Sequence, residues 1–291
     1  MAVAVLAATT GLAQDRPQIA TVNYPLQYFA EQLAGDAADV LFPVPEDVDP
    51  SFWRPTISDI STIQGADLIL LNGAGFATWI DRVSLPRSRV VNTSVAIEDQ
   101  FIVTKSITHS HGDGGEHSHE GLAAYTWLDP TLASAQAEAV ATAIAGKGLV
   151  PVEDVAERLI ALQADLAALD ARTAEALADV GDVAIIATHP RYQYLARRYD
   201  LNITSLEWEA GAMPSDAELA ELADEAAQTG ATVLIWEDTP PDAGFDAVTD
   251  LGLRNVVFSP LATANGDADF IASFDAYVTA LSDALQAQPG N

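Results

Sequence analysis

The stretch VEDVAERLIALQADLAALDARTAEAL, Val152 to Leu177, sets Val155, Leu159, Leu162, Leu166 and Leu169 three and four residues apart. That spacing puts the apolar side chains on one face of a 3.6-residue period and predicts a single long amphipathic helix. Gly146-Lys147-Gly148 separates it from an Ala-rich helical segment that follows Asp129-Pro130. What lies on either side of this helix decides the architecture.

Upstream, Ile19-Ala20-Thr21-Val22 reads as a strand and Leu26 to Leu33 as the helix after it. Val40 to Val44 reads as a second strand, Ile57 to Gln64 as a short helix, and Asp67 to Asn72 as a buried strand stopped by Gly73-Ala74-Gly75. Downstream the alternation resumes. Strands are predicted at Val183 to Ala187, around Ile203 and at Thr232 to Trp236, with helices at Tyr192 to Tyr199, Ser215 to Thr229 and Phe270 to Gln286. Alternating strands and helices call for parallel sheets covered by helices. The fold expected is therefore α/β: two parallel-sheet lobes joined by a long rigid helix, with a ligand cleft between them. The corresponding division is an N-terminal lobe over 14–130 carrying a His-rich loop at 106–121, a helical region over 131–180, and a C-terminal lobe over 181–291. A chain of 291 residues accommodates two such units.

Composition narrows the function. Thirteen basic and 42 acidic side chains give a formal charge of -29, a surface that repels nucleic acid and concentrates cations. No cysteine is present, so a disulfide framework and thiolate metal ligands are excluded, leaving His, carboxylate, Tyr and backbone oxygen. Residues 1–13 form a short apolar segment ending in small residues, with a cleavage point expected after Ala13, which points to export and a soluble mature protein in the periplasm.

Several segments spread along the chain resemble the zinc/manganese-binding family of periplasmic solute-binding proteins. They are Asp49-Pro50-Ser51-Phe52-Trp53-Arg54-Pro55-Thr56-Ile57-Ser58-Asp59-Ile60, Ala66 to Gly73, the His-rich loop, Tyr125-Thr126-Trp127-Leu128-Asp129-Pro130, and Thr188-His189-Pro190-Arg191-Tyr192-Gln193-Tyr194-Leu195-Ala196. The resemblance implies lobes joined by a rigid helix, capture of an ion and its delivery to an ABC permease in the inner membrane. It also implies that a His usually stands where Ser51 and Tyr125 are here, that His189 matches the third His, and that a late carboxylate falls near Ser259 and Pro260. One imidazole, a phenol and hydroxyls form a poorer shell for a borderline dipositive ion than several imidazoles with a carboxylate.

Candidate metal contacts are accordingly His189 at a strand end, His109, His111, His117 and His119 in the loop, Tyr125 and Glu237. Paired His-x-His imidazoles on a Gly-rich loop reach one ion together, whereas a solvated polar loop is the plain alternative. Tyr125 is either a phenolate ligand for a hard ion or a packed core aromatic. His189 is either a ligand at the ligand-facing sheet edge or a structural histidine, and Pro190 is expected to open the next helix. Glu237 either replaces the missing acidic ligand or faces water, and the same pair of readings holds for the acidic run from Glu46 to Asp49. Ser51, Trp53, Trp127 and Ser259 are expected in the cleft, with Trp53, Trp127 and Trp236 near strand ends or cleft turns and Trp208 between Glu207 and Glu209. Such indoles either pack in the core or wall a pocket for an organic cation.

The function these readings lead to is capture of zinc or another divalent metal, carried as cargo with no catalytic cofactor. Competing readings keep the importer role with ferric iron, a metal chelate or a small organic cation, or make the chain a periplasmic metal buffer, with a periplasmic metallochaperone as a further partner. No nucleophile–base pairing, phosphate loop or His-Glu-x-x-His helix points to an enzyme.

Overall fold

The structure, a computed structural model, describes residues 16–46, 48–104, 121–264 and 266–287. Asn23 caps α1 (Tyr24–Ala34) by accepting from the Leu26 amide at 3.1 Å, so the chain turns from β1 (Gln18–Thr21) into a helix within two residues. β2 (Asp39–Leu41), α2 (Ile57–Gly65), β3 (Leu68–Leu71) and β4 (Val90–Asn92) complete an all-parallel sheet in the order β2-β1-β3-β4. Thr56 and Asp59 start α2 with a reciprocal capping box. A short antiparallel hairpin, β5 (Val103–Thr104) with β6 (Gly121–Leu122), flanks the segment 105–120, so Gly121 belongs to a strand and not to the predicted loop. The loop itself, with His109, His111, His117 and His119, lies outside the described residues.

Asp129 caps α3 (Pro130–Gly146), and α4 (Val152–Leu177) follows with the bounds its periodicity predicts. The second sheet, again parallel, has the order β10-β9-β7-β8, from β7 (Ala184–Ala187), β8 (Asn202–Ser205), β9 (Val233–Trp236) and β10 (Arg254–Val257). α5 (Gln193–Tyr199), α6 (Asp216–Thr229), α7 (Asp242–Asp250) and α8 (Phe270–Gln286) connect and close it. Pro190 does not open α5, which begins at Gln193; His189 to Tyr192 instead form the turn out of β7. The predicted second strand is also shorter, ending at Leu41 ahead of Pro43, which has no amide hydrogen for a ladder.

The helical seam belongs to both lobes. Leu162, Leu166 and Leu169 of α4 share one continuous apolar cluster with residues of both sheets and with α1, α3 and α8. Phe270 of α8 meets Phe29 of α1 edge-on at 5.8 Å and Tyr28 at 5.7 Å. Polar side chains of α4 then fix its neighbours. Arg158 donates to the last carbonyls of α1, Leu33 and Ala34, Arg172 pairs with Asp275 on α8, and Asp170 accepts from Arg198 Nε at 2.9 Å and from the Tyr199 hydroxyl at 2.9 Å on α5. Among the described residues no helix is long and apolar enough to cross a membrane.

The hydrogen bonds from Arg198, followed by the bond from Tyr199, outweigh partial burial and hold the Asp170 carboxyl below its ordinary range. A carboxylate with a lowered folded pKa contributes stability above its unfolded pKa, and that contribution is lost as pH falls through the folded value. Asp170→Asn is therefore expected to cost about 1–2 kcal/mol at neutral pH. Urea unfolding of the variant and parent should show the gap closing below about pH 4.

Candidate cation-binding cleft

Parallel sheets send every strand's carboxyl end in one direction, and the loops leaving those ends build the cleft. From the first sheet comes the turn at Asp49 to Phe52; from the second come His189 and Arg191 after β7 and Glu237 after β9. The Thr188 amide donates to Ile235 O at 2.8 Å and its hydroxyl accepts from the Glu237 amide at 3.1 Å, so the two strand ends are laced together before the functional side chains begin.

Arg191 sits at the centre. Its Nε donates to Glu237 Oε1 at 2.9 Å and its terminal nitrogen to Asp49 Oδ2 at 2.9 Å, which ties a C-terminal-lobe carboxylate to an N-terminal-lobe carboxylate through one guanidinium. The other oxygen of Asp49 accepts from the amide of Ser51 at 2.8 Å and its hydroxyl at 2.7 Å. Arg191 Cζ lies 4.7 Å from the centre of the Tyr125 ring and 5.7 Å from that of Phe52, within cation–π range of both. Arg191 is only 8 % exposed and Glu237 7 %. Two charge-assisted bonds and two aromatic faces offset the cost of taking this cation out of water.

His189 Nδ1 stands 2.8 Å from Glu237 Oε2. A carboxylate on one ring nitrogen orients an imidazole so that the other is presented as a ligand. Burial alone would raise the pKa of Glu237, but the hydrogen bond with His189 and the charge of Arg191 outweigh it and hold the carboxyl below its ordinary value. Glu237 is thus a buried anion, with one oxygen bonded to Arg191 and the other 2.8 Å from His189 Nδ1, which corrects the solvated alternative. Tyr125 is a buried aromatic beneath the guanidinium, and burial pushes its phenol far above the ordinary 10 against the lowering effect of Arg191, which favours the packed-aromatic alternative.

A cavity of about 620 Å³ opens over this cluster, carrying the carboxylates of Glu46, Asp49, Glu209, Glu237 and Asp238 against the single guanidinium of Arg191. Ser259 lines it with His189, as expected. Ser51 is buried against Asp49 and Trp53 lies to the side, in a smaller cavity of about 480 Å³ with Trp79, separated from the first by the shared Phe52. Trp127 is not in the cleft: it is fully buried, its indole N–H donating to Pro260 O at 2.7 Å, because a hydrogen-bonded aromatic between the lobes is worth more as packing than as wall. Trp208 and Trp236 pack on each other in a separate core. Among the described residues no three His, Asp or Glu side chains converge closely enough to hold an ion.

Arg191, the central side chain of the cleft, is not among the residues that the motif Thr188 to Ala196 singles out. Its signal was available: a guanidinium two residues beyond a strand-end His, in a chain with few cations, must find carboxylates at the same sheet edge.

A family model described as zinc-uptake complex component A, periplasmic, matches residues 19–284. The chain is 26 % identical over 257 residues to the zinc-binding lipoprotein AdcA of Streptococcus pneumoniae, covering 86 % of this chain and 51 % of that protein. It is 27 % identical over 265 residues to the high-affinity zinc uptake system protein ZnuA of Bacillus subtilis, covering 85 % of this chain and 79 % of that protein. The chain thus spans about half the length of the AdcA relatives. Among solved structures, the Zn(II)-bound ZnuA-like domain of S. pneumoniae AdcA aligns with a TM-score of 0.79 at 20 % identity, over 94 % of this chain and all of that one. The metal-dependent lipoprotein YcdH of B. subtilis aligns at 0.78 and 23 %, over 94 % of this chain and 100 % of that one. These likenesses establish the two-lobed fold.

Glu237→Gln leaves Arg191 and His189 with a weaker buried partner, so it is expected to cost about 3 kcal/mol in urea unfolding. Glu209→Gln, at an exposed position of the same cavity, should stay within about 0.5 kcal/mol of the parent.

Proposed function

The chain belongs to the periplasmic zinc-uptake complex component A family, and from that premise we propose that it captures zinc or a related divalent cation outside the cytoplasm and delivers it to an ABC permease in the inner membrane. The observation that carries this reading is that Asp49 from one lobe and His189 and Glu237 from the other line one cavity dominated by carboxylates. A dipositive ion gains from that field at long range, and His189 offers the neutral nitrogen that zinc prefers over oxygen alone. The relatives' printed names, zinc-binding lipoprotein and zinc uptake system protein, agree with it. A periplasmic location follows from the same role.

A second reading changes the cargo to a metal chelate, ferric iron or a small organic cation. What favours it is the guanidinium of Arg191 lodged among Asp49, Glu237 and Tyr125, contacts of the kind an organic cation would use. The histidines His109, His111, His117 and His119 support a third role, a metal buffer independent of the cleft; a metallochaperone is the partner that role implies.

Calorimetric titration with zinc separates these. One equivalent of zinc bound by the parent, lost in His189→Ala and kept after deletion of residues 106–120, is the result expected for cleft capture. Binding that vanishes with the loop and survives His189→Ala would assign metal to the loop alone and leave the cleft to another cargo.

A further inference from the structure

We infer that Arg191 is a tethered competitor of the cargo cation, a specificity-determining residue that weakens the hold of Asp49, His189 and Glu237 on a divalent ion. The inference rests on the proposed reading of this cleft as the cargo site and adds what governs its selectivity.

The geometry is that of a wedge. Arg191 reaches Glu237 at 2.9 Å with one nitrogen and Asp49 at 2.9 Å with another, so the two carboxylates are held apart by the breadth of a planar guanidinium. Chelation needs the opposite arrangement, oxygens and an imidazole nitrogen all within about 2.0–2.2 Å of one point. No such three-membered group is present among the described residues. The wedge also carries charge. A dipositive ion entering beside an undisplaced guanidinium meets a like charge in a site partly shielded from water, where repulsion is far stronger than in bulk.

Arginine suits this role better than lysine. It stays protonated under all ordinary conditions, so no change of pH discharges it, and its fork engages two carboxylates that a point-like ammonium cannot span together. Freeing the ligands therefore requires the side chain to swing. The Phe52 ring, 5.7 Å from the guanidinium carbon and itself 59 % exposed, offers a cation–π resting place on the way to solvent. Ser51 and the Tyr125 ring, which hold Asp49 and the guanidinium face from the other side, favour the wedged state.

The test is zinc titration of the full chain and of Arg191→Gln, Arg191→Lys and Arg191→Gln/His189→Ala, with far-UV circular dichroism to verify folding. Arg191→Gln is expected to bind zinc at least about tenfold more tightly than the parent, as removal of a like charge near the ion requires. The gain should disappear in the double variant, which ties it to the cleft and not to the loop. Arg191→Lys should tighten binding a few-fold, since it loses the fork and keeps the charge, and it carries the test if the Gln variant does not fold. A folded Arg191→Gln, or failing that Arg191→Lys, with affinity equal to or weaker than the parent's overturns the inference. If the parent takes no zinc and Arg191→Gln does so through His189, the arginine's role stands and the zinc-cargo reading falls. If both bind equally through His189, the cargo reading stands and this inference falls.

Discussion

Everything at the cleft depends on an apolar seam that the two lobes share. In many two-lobed binding proteins closure is a hinge motion between separate bodies; here the leucines of α4 and the aromatics of α1 and α8 belong to the same cluster as both sheets. Bonds across the seam reinforce it. Trp127 of the first half holds Pro260 O of the second at 2.7 Å, and the Tyr24 amide holds Ala262 O at 2.8 Å. Opening the lobes would expose Trp127 and Phe270, each fully buried, and large apolar side chains cost about 1.5–3 kcal/mol apiece to return to water. The width of the cleft is therefore set by core packing, and ligand selection falls to the side chains that reach into it.

Rigidity extends to the loops that hold those side chains. At the end of β3, Asn72 accepts from Asn23 and from Gln136, each at 3.1 Å, and donates to Ala124 O at 3.0 Å, while Gln136 also reaches Thr93 and Ser94. A buried polar network with its members paired in this way specifies one arrangement of the strand ends. Gly73 is required beside it: its φ is 79°, and a Cβ there would lie 2.3 Å from Asn92 Oδ1. On the other side of the cleft, Leu261 takes a φ of 58°, a region costly for a non-glycine residue, and is held there by full burial and by the bonds that its neighbours Pro260 and Ala262 accept. The cleft rim is thus fixed at both edges.

The architecture was legible because its signals are long or repeated. α4 spans 26 residues with a regular apolar stripe, and α8 was equally clear over its 17. β4, β10 and α7 escaped notice for a physical reason. β4 has three residues and lies at a sheet edge with each only half-buried, β10 is an edge strand of four, and α7 is only nine residues long and buries just Gly244 and Val248, so each is too short for its pattern to stand out. At the cleft, His189 and Glu237 were findable from their place after strands, and Ser259 from the family resemblance alone. The role of Tyr125 was not, since a tyrosine's ionisation depends on burial and on a cation that only the tertiary structure brings beneath its face. Trp127 misled because an indole near a strand end reads alike whether it faces a ligand or a carbonyl.

An internal cation also resolves an electrostatic problem the chain sets for itself. With 42 acidic side chains against 13 basic, carboxylates gathered at one sheet edge repel each other, and Asp49 and Glu237 without a counterion would sit partly out of water as unpaired charges. Arg191 neutralises them in place and, by joining residues of both lobes, keeps the unliganded cleft in the shape that the seam prescribes. The arrangement makes affinity a difference between two cations competing for the same oxygens. On the proposed reading, in which captured cargo is also released, such a competitor has a use, because the returning guanidinium lowers the cost of vacating the site.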